Sequence, residues 1–184
     1  MMQWLAGLAV GAAIWTLIEY VMHRFVFHQR MLGRLIAREH IRHHSKVDYF
    51  VRWTMKVAFA LPLLLTIMTI SSLIVGVRLG TSVPIGVLVG YGYYEALHRL
   101  IHVREPWGAY GRWARRHHLL HHFGRSDMNH GVTSPLWDIV FGTHAERQVV
   151  RIPKQHVRKF PWLIEGDRAT VAIATTFSDD YRIA

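Results

Sequence analysis

Ten of the 14 histidines in this sequence fall into four short units with recurring spacings. The unit HxxHH occurs twice, and an HxxxxH unit and an HxxxH unit accompany it. A single HxxHH is more typical of a solvated helix face, but a surface gives no reason for such spacings to repeat, so the repetition favours a metal site. In chain order the units consist of His23 and His28, then His40, His43 and His44, then His98 and His102, and finally His118, His121 and His122.

These spacings suit the binding of transition metals. Positions i, i+3 and i+4 lie on one face of a helix, so the three imidazoles of an HxxHH unit converge on a small volume. Imidazole nitrogens bind zinc, iron, copper and nickel, and spacing alone does not choose among these metals. The chain has no cysteine, so nitrogen and oxygen atoms must hold the metal. Ten histidines are enough for two metal ions with several nitrogen ligands each.

The distribution of charge indicates a membrane protein. The 184 residues, one domain's worth of chain, are 51% apolar and carry a formal net charge of +10. A basic domain of this kind is a candidate for nucleic-acid binding. However, residues 1–18, 57–77 and 79–94 contain no charged side chain, and basic residues crowd between and after these runs. We therefore expect a membrane protein with basic faces and no nucleic-acid partner.

The order of apolar and polar runs predicts an all-α, integral membrane helical bundle. Residues 57–77 are long enough to cross the hydrocarbon core, because 21 residues at about 1.5 Å each span about 30 Å. The third apolar run is short for a full span. GxxxG spacings at Gly7 and Gly11 and at Gly86 and Gly90 predict close packing between membrane helices. The single domain, residues 1–184, divides into a membrane helix (1–27), a histidine-rich segment (28–56), a membrane helical hairpin (57–102), a histidine-rich cap (103–144) and a tail (145–184).

Basic residues set the predicted orientation. Seven of them lie in residues 28–56, whereas the turn at 78–82 has one arginine and the N-terminal tail has no charged side chain. The positive-inside rule therefore predicts that residues 28–56 and everything after residue 98 are cytoplasmic and that the N-terminus is outside. With the three apolar runs, we expect about three membrane helices and a cytoplasmic histidine-rich helical cap, in a bacterial inner membrane or the endoplasmic reticulum. Arginines at every fourth position from Arg30 to Arg42 face either phospholipid headgroups or water. The VVRIP and ATVAIATTF stretches of the tail form short strands or amphipathic pieces, and we find no chemistry there.

Two carboxylates lie in apolar helix ends next to the histidine units. Glu19 and Glu95 precede His23 and His98 by about one helical turn. A charge in such a position is costly unless it has a partner, so we expect either carboxylate to accept a hydrogen bond from the second ring nitrogen of a ligand. The alternative is a simple position at the membrane interface. Of the other histidines, His117 is expected to point away from the site.

The histidine units and their surroundings resemble the membrane fatty acid hydroxylase/sterol desaturase superfamily, a set of non-haem di-iron oxygenases. The resemblance covers about residues 16–144, includes all ten histidines in order, and is greatest for the fatty acid 2-hydroxylase branch. It rests on the segments EYVMHRFVFH, HIRHHSKVD, GYGYYEALHRLIH and NHGVTSPLWDIVFGT. Asn129 and Asp138 match family positions near the site, with helix capping as the alternative for each.

The resemblance implies that the ten histidines bind two iron ions, which zinc can replace in a purified sample. It implies activation of O2 and insertion of one oxygen atom into a C–H bond of a long acyl chain that enters sideways from the bilayer. The other oxygen atom leaves as water, so a reducing partner is needed. Because the sequence shows no N-terminal cytochrome b5-like domain, we expect a separate donor protein of the ferredoxin or cytochrome b5 type.

The nearest alternative is a carotenoid or sterol hydroxylase or desaturase of the same superfamily. Carotenoid hydroxylases usually have a wider third unit than the HxxxH found here and usually lack the WDxxFGT ending. Membrane acyl desaturases share the histidine units but not this closing segment. A metal transporter or metal-storage protein is the alternative from another class. Transport ligands are expected near mid-membrane, and the apolar runs of this chain have no histidine in their middles.

Overall fold

The computed structural model describes residues 2–160 and 178–184, and within them the chain is mostly helical. The helices are α1 (Met2–Val21), a π-helix (Met22–His28), α2 (Arg34–Ser45), α3 (Trp53–Val75), α4 (Val77–Gly80), α5 (Ser82–Val103), α6 (Gly108–Phe123), α7 (Leu136–Val140) and α8 (Lys154–Val157). The strands β1 (Val150–Ile152) and β2 (Tyr181–Ile183) pair in parallel. The all-α prediction therefore needs one correction, a two-stranded sheet that the tail forms.

Two helices are long and apolar enough to cross a membrane, namely the continuous helix Met2–His28 and α3. The 23 residues of α3 cover about 35 Å, which exceeds the roughly 30 Å of a hydrocarbon core. None of its residues is buried within the protein, as expected for a helix that lipid surrounds. Helix α5 packs against both α1 and α3 but does not meet the same criterion of length and composition. A third span at α5 remains a prediction.

Glycines allow α1 and α5 to approach each other closely. A Cβ atom on Gly11 would lie 2.0 Å from the carbonyl oxygen of Val83, and one on Gly86 would lie 2.1 Å from that of Leu8. Neither position has room for a side chain unless the two backbones separate. The predicted glycine contacts are confirmed at these positions. They hold α5, which carries one histidine unit, against the helix that continues into the π-helix and its histidine unit.

The HxxxxH unit lies in the π-helix. In an α-helix, residues five apart point about 140° away from each other, because each residue turns about 100°. Hydrogen bonds from i to i+5 widen the turn of a π-helix and bring such residues onto one face. The ring centroids of His23 and His28 consequently lie 5.2 Å apart. The π-helix was not predicted, although the five-residue spacing of its histidines is the signal that could have indicated it.

The tail and α6 together form an apolar core. Its buried side chains include Leu119 of α6 together with Phe160 and Tyr181 of the tail. The strand β1 begins within the VVRIP stretch, so a strand is confirmed there. The ATVAIATTF stretch lies outside the described residues. The tail thus covers one side of a helix that carries three predicted ligands.

Candidate metal centre

The ten predicted ligands come together in two groups of five. Within each group, one ligand atom from every residue lies within 4.8 Å of the others. Both groups are largely enclosed by protein, with members that are buried or half-buried. The first histidine group consists of His23, His28, His40, His44 and His121, and the second histidine group consists of His43, His98, His102, His118 and His122.

The grouping cuts across the sequence units. Helix α2 contributes His40 and His44 to the first group and His43 to the second. Helix α6 contributes His121 to the first group and His118 and His122 to the second. Each group therefore takes the i and i+4 histidines of one HxxHH unit and the i+3 histidine of the other. Two further members of each group come from the end of a long helix, either the π-helix or α5. The spacing within a unit predicted convergence, but not this exchange between units.

The spacing of nitrogen atoms in the first group suits a metal ion. Nε2 of His40 lies 3.0 Å from Nε2 of His28, 3.1 Å from that of His23 and 3.0 Å from that of His44. Two nitrogen atoms about 2.1 Å from one ion, at right angles to each other, lie about 3.0 Å apart. The separations between these nitrogen atoms therefore match those expected between ligands of one metal ion.

The second group fits a metal ion for a further reason. Nε2 of His102 lies 3.1 Å from that of His118. Nδ1 of His43 donates a hydrogen bond to the carbonyl oxygen of Tyr49 at 2.7 Å, which leaves a lone pair on Nε2. Within the described chain, Nε2 of His43 and Nε2 of His122 are buried without a hydrogen-bond partner. Such buried nitrogens cost free energy unless something binds them, and a metal ion does so.

Backbone carbonyl groups orient two ligands of the first group. Nδ1 of His121 donates to the carbonyl oxygen of Met128 at 2.7 Å, and Nδ1 of His23 donates to that of His130 at 2.5 Å. A proton held on Nδ1 leaves the lone pair on Nε2, the nitrogen that faces the group. Any residue type can supply a carbonyl oxygen, so these partners leave no signal in the sequence.

The hydrogen bonds of the two predicted carboxylates differ from our expectation. The buried Glu19 accepts hydrogen bonds from the backbone N–H of Val132 and from the backbone N–H and hydroxyl of Thr133, not from a histidine. Glu95 forms an ion pair with Lys56. A buried carboxylate needs several donors, and backbone N–H groups and a lysine supply them where an imidazole offers one. Glu19 therefore affects the centre indirectly, because it holds the loop whose carbonyl groups orient ligands.

Asp138 and Asn129 fix the same loop, residues 128–143. The Asp138 carboxylate accepts hydrogen bonds from the backbone N–H groups of His130 and Gly131, each at 2.8 Å. Asn129 has a φ angle of 56°, a left-handed conformation that asparagine tolerates better than most residues. Neither side chain caps a helix in the described chain. Both residues shape the loop rather than face the metal groups.

The four remaining histidines lie outside both groups. His117 is buried, and its Nε2 lies 3.4 Å from the carboxylate of Asp138, so it points away from the centre as predicted. His144 is exposed, whereas His156 is half-buried. His130 is buried and acts through its carbonyl group.

Burial favours the uncharged form of the histidines in both groups. Desolvation lowers the pKa of His43 to about 4 and, together with neighbouring histidines, lowers the pKa of His44 to about 2. It also lowers the pKa values of His118 and His122 well below the usual value of 6.5. Imidazoles that are neutral at pH 7 have free lone pairs, so no proton has to leave when a metal ion binds.

A family model for fatty acid hydroxylases matches residues 8–143, and this stretch contains all ten histidines. The chain belongs to the fatty acid hydroxylase family. A dihydroceramide fatty acyl 2-hydroxylase of Arabidopsis thaliana is 31% identical over 139 residues, which are 73% of this chain and 59% of the relative. The fatty acid 2-hydroxylase of Homo sapiens is 30% identical over 141 residues, which are 73% of this chain and 38% of that protein.

A solved structure extends the likeness to the fold. In the structure of full-length scs7p, of which only the hydroxylase domain is visible, the match has a TM-score of 0.67 at 27% identity. It covers 79% of this chain and 57% of the other. This member of the fatty acid hydroxylase family thus spans about three-fifths of the length of the plant relative and about two-fifths of that of the human relative.

In this hydroxylase family member, an apolar cavity of about 180 Å³ reaches both histidine groups. It lies between α1, α3 and α5, and its walls include Phe59, Leu63 and Leu88. The rings of His44 and His122, one from each group, stack with centroids 4.1 Å apart, so the groups adjoin each other. The histidines that line the cavity come from both groups and are His23, His40, His43 and His98.

Polar side chains also line this cavity. They include the paired Lys56 and Glu95 together with Tyr91. Glu95 lies one helical turn before His98 on α5, so the ion pair is at the histidine end of the cavity. Lys56 was not predicted as a site residue, because a lysine at the start of an apolar run is typical of a membrane interface.

Proposed function

We propose that this protein is a membrane-bound oxygenase that hydroxylates the acyl chain of a fatty acid or lipid. Two iron ions held by the two histidine groups would supply the activation of O2. One oxygen atom enters a C–H bond of the acyl chain, and the other leaves as water after the uptake of two external electrons and two protons. Family membership and the 2-hydroxylase relatives support the reaction. The two five-histidine groups support a centre of two metal ions.

The cavity between α1, α3 and α5 is the observation that carries this proposal. Its apolar walls reach the surface that lipid would cover, where Phe59 is 43% exposed and Leu88 is 49% exposed. An acyl chain can therefore leave the bilayer sideways without crossing water. At its inner end the cavity is lined by His23 of the first group and His43 of the second.

We propose that Lys56 and Glu95 hold the polar head of the substrate. The lysine ammonium donates hydrogen bonds to a carbonyl or carboxylate oxygen, and the glutamate carboxylate accepts one from an amide N–H. Both residues lie close enough to His43 to influence its pKa. A head held there brings the first carbons of the acyl chain, not its far end, beside the histidines. We therefore expect hydroxylation at carbon 2, the position in the names of the relatives.

We also propose that α5 is a third membrane helix and that the histidine groups lie at the cytoplasmic face, where a ferredoxin-like or cytochrome b5-like donor delivers the electrons. Residues 30–35, which lead into the first turn of α2, support a position at the membrane surface. Met31, Leu32 and Leu35 are 65%, 60% and 67% exposed, and the neighbouring Arg30 and Arg34 are exposed as well. Apolar side chains interleaved with arginines are typical of segments at the headgroup region.

Expression in a bacterial host, followed by mass spectrometry of the membrane lipids, tests the proposed reaction. We expect acyl chains that have gained one oxygen atom, with fragments that place the hydroxyl group at carbon 2. His121→Ala removes one ligand and should abolish this product. His144→Ala changes an exposed histidine outside both groups and should leave the product unchanged.

Other products would change the assignment. Acyl chains that lose two hydrogen atoms would identify a desaturase, and oxidation of added carotenoid or sterol precursors would identify the related hydroxylases. A hydroxyl group far from the head would contradict the role of Lys56 and Glu95. If no lipid is oxidised although a reducing system is supplied, the hydroxylase proposal is wrong. Metal analysis of the purified chain separates iron from zinc.

A further inference from the structure

The C-terminal segment, residues 144–160 and 178–184, lies beyond the residues that the family model matches. Its strands β1 and β2 pair in parallel, with Val150 opposite Tyr181. The pairing brings the end of the chain back to α6, where both side chains share one buried core with Leu119. The segment therefore packs against a helix that carries ligands of both histidine groups.

Asp180 joins the C-terminal segment to α6 through a buried carboxylate. Its side chain has no exposed surface, and Arg112 and Arg116 of α6 bind its two oxygen atoms, Arg116 at 2.9 Å. Arg147 of the segment adds a contact at 3.2 Å. Burial alone would raise the pKa of Asp180, but the arginines hold it below its ordinary value. Two arginines one turn apart restrain the rotation of α6, and Arg116 lies two residues before His118.

Other contacts of the segment reach the remaining elements of the second histidine group. The ring of Phe160 stacks on the ring of His102, with centroids 6.2 Å apart. Lys159 donates to the carboxylate of Asp48 at 2.6 Å, in the loop that follows His43 and the rest of α2. The segment thus touches or borders α2, α5 and α6, which together supply all five members of the second histidine group.

The first histidine group depends mainly on the π-helix and on loop 128–143, which the C-terminal segment contacts through the hydrogen bond from the Ala145 backbone N–H to Asn129. Two of its members come from the π-helix, and loop 128–143 orients His23 and His121 through carbonyl oxygens. Over residues 2–160 and 178–184, no hydrogen bond or ion pair joins the C-terminal segment to the π-helix.

We propose that the C-terminal segment positions the second histidine group for its metal ion and that Asp180 is the positioning residue. The inference rests on the proposed two-ion centre. Without the Asp180 charge, α6 loses its restraint and His118 moves relative to His102, so the second ion binds more weakly. The first ion is affected less, because His121 keeps its hydrogen bond to Met128.

Native mass spectrometry of the chain in detergent tests this inference. It measures how many Zn²⁺ ions each chain retains over a series of chelator concentrations. The wild-type chain should lose two ions in two steps, which His28→Ala and His102→Ala assign to the first and second groups. Asp180→Asn should lose the second-group ion at a chelator concentration at least about tenfold lower, with a clearly smaller shift of the first-group step. The matched control is Asp179→Asn, which changes the exposed neighbouring carboxylate and should give the wild-type curve.

An unchanged second step in Asp180→Asn would overturn the inference. An equal shift of both steps would overturn it too, because general destabilisation moves both. If this variant does not fold, Arg112→Gln removes a partner that is 41% exposed and should shift the second step by a smaller factor. A wild-type chain that holds fewer than two ions contradicts the two-ion centre and this inference with it. A two-ion chain that oxidises no lipid contradicts only the proposed reaction.

Discussion

The two histidine groups have equal numbers of ligands but are held in different ways. In the first group, two ligands donate Nδ1–H to backbone carbonyl oxygens of loop 128–143. In the second group, the Nδ1 atoms of His102, His118 and His122 have no hydrogen-bond partner in the described part of the chain. Aromatic rings surround them instead, among them that of Phe160. Within the described residues, backbone carbonyl groups thus orient two members of the first group but only His43 of the second, in which packing positions His102, His118 and His122.

This difference predicts which kind of substitution should disturb each histidine group. A hydrogen bond fixes both the tautomer and the ring angle of a ligand, so the loss of one polar contact is felt at once. Packing fixes position through many weak contacts, so it fails when volume is removed. Loop 128–143 lies within the residues that the family model matches, whereas Phe160 belongs to the C-terminal segment beyond them.

Removal of a ligand should have the largest effect on activity. We expect His121→Ala and His118→Ala each to lower hydroxylation at least about 100-fold, beyond the 10–100-fold typical of groups that only support a ligand. The two variants should differ in the ion they lose, His121→Ala losing the first and His118→Ala the second. Product per protein and metal content per chain measure this. Loss of the same ion in both variants would show that the groups do not act as separate sites.

Loss of volume beside the second group should have the next largest effect. Phe160 has no exposed surface, so Phe160→Ala leaves a cavity that costs about 3–5 kcal/mol of unfolding free energy. The second-group ion should leave at lower chelator concentration, and the first should not. Thermal unfolding and chelator titration measure the two effects. Phe160→Leu keeps most of the volume and serves as the matched control, and it should recover most of the stability.

Loss of charge in loop 128–143 should act on the first group. Asp138→Asn puts an amide NH2 where carboxylate oxygens accept from the backbone N–H groups of His130 and Gly131. At least one buried donor then lacks an acceptor, and we expect a loss of about 3 kcal/mol. The same chelator titration should show early loss of the first-group ion. If Asp138→Asn released the second-group ion instead, the conclusion that loop 128–143 orients the first group would be wrong.

A substitution at the contact between α1 and α5 should affect both histidine groups alike. Gly86→Ala places a Cβ 2.1 Å from the carbonyl oxygen of Leu8, which forces α1 and α5 apart. We expect a cost of about 2 kcal/mol and weaker binding of both ions, because each helix end carries ligands of one group. Gly92→Ala is the control on the same helix, since a Cβ there meets no atom within 4 Å. A shift of only one ion in Gly86→Ala would contradict this explanation.

The clustering of the ten histidines and the glycine contacts could be predicted because each depends on spacing within one helix. The grouping could not, because it depends on how α2 and α6 face each other, which no local pattern records. The partners of His23 and His121 are carbonyl oxygens, which leave no side-chain signal, so our expectation for Glu19 was wrong. Asp180 was missed for a similar reason, because a single aspartate far from any histidine unit becomes informative only when strand pairing brings it to α6.

The smallest effect is expected at the exposed end of the C-terminal segment. Lys159 and Asp48 form an ion pair at 2.6 Å, but both side chains are 49% exposed. Water and salt screen such pairs, which contribute about 0.2–1 kcal/mol. We therefore expect Asp48→Asn to change the unfolding free energy by less than about 1 kcal/mol and to leave both steps of the chelator titration in place.

This small effect separates two explanations of how the segment holds the second group. If the buried carboxylate of Asp180 restrains α6, the loss of a surface ion pair on another element leaves the second-group ion in place at any salt concentration. If the segment is held mainly by its surface charges, Asp48→Asn and high salt should each release that ion as readily as Asp180→Asn does. Titration of the two variants at low and high salt decides between them, because only exposed pairs respond strongly to ionic strength.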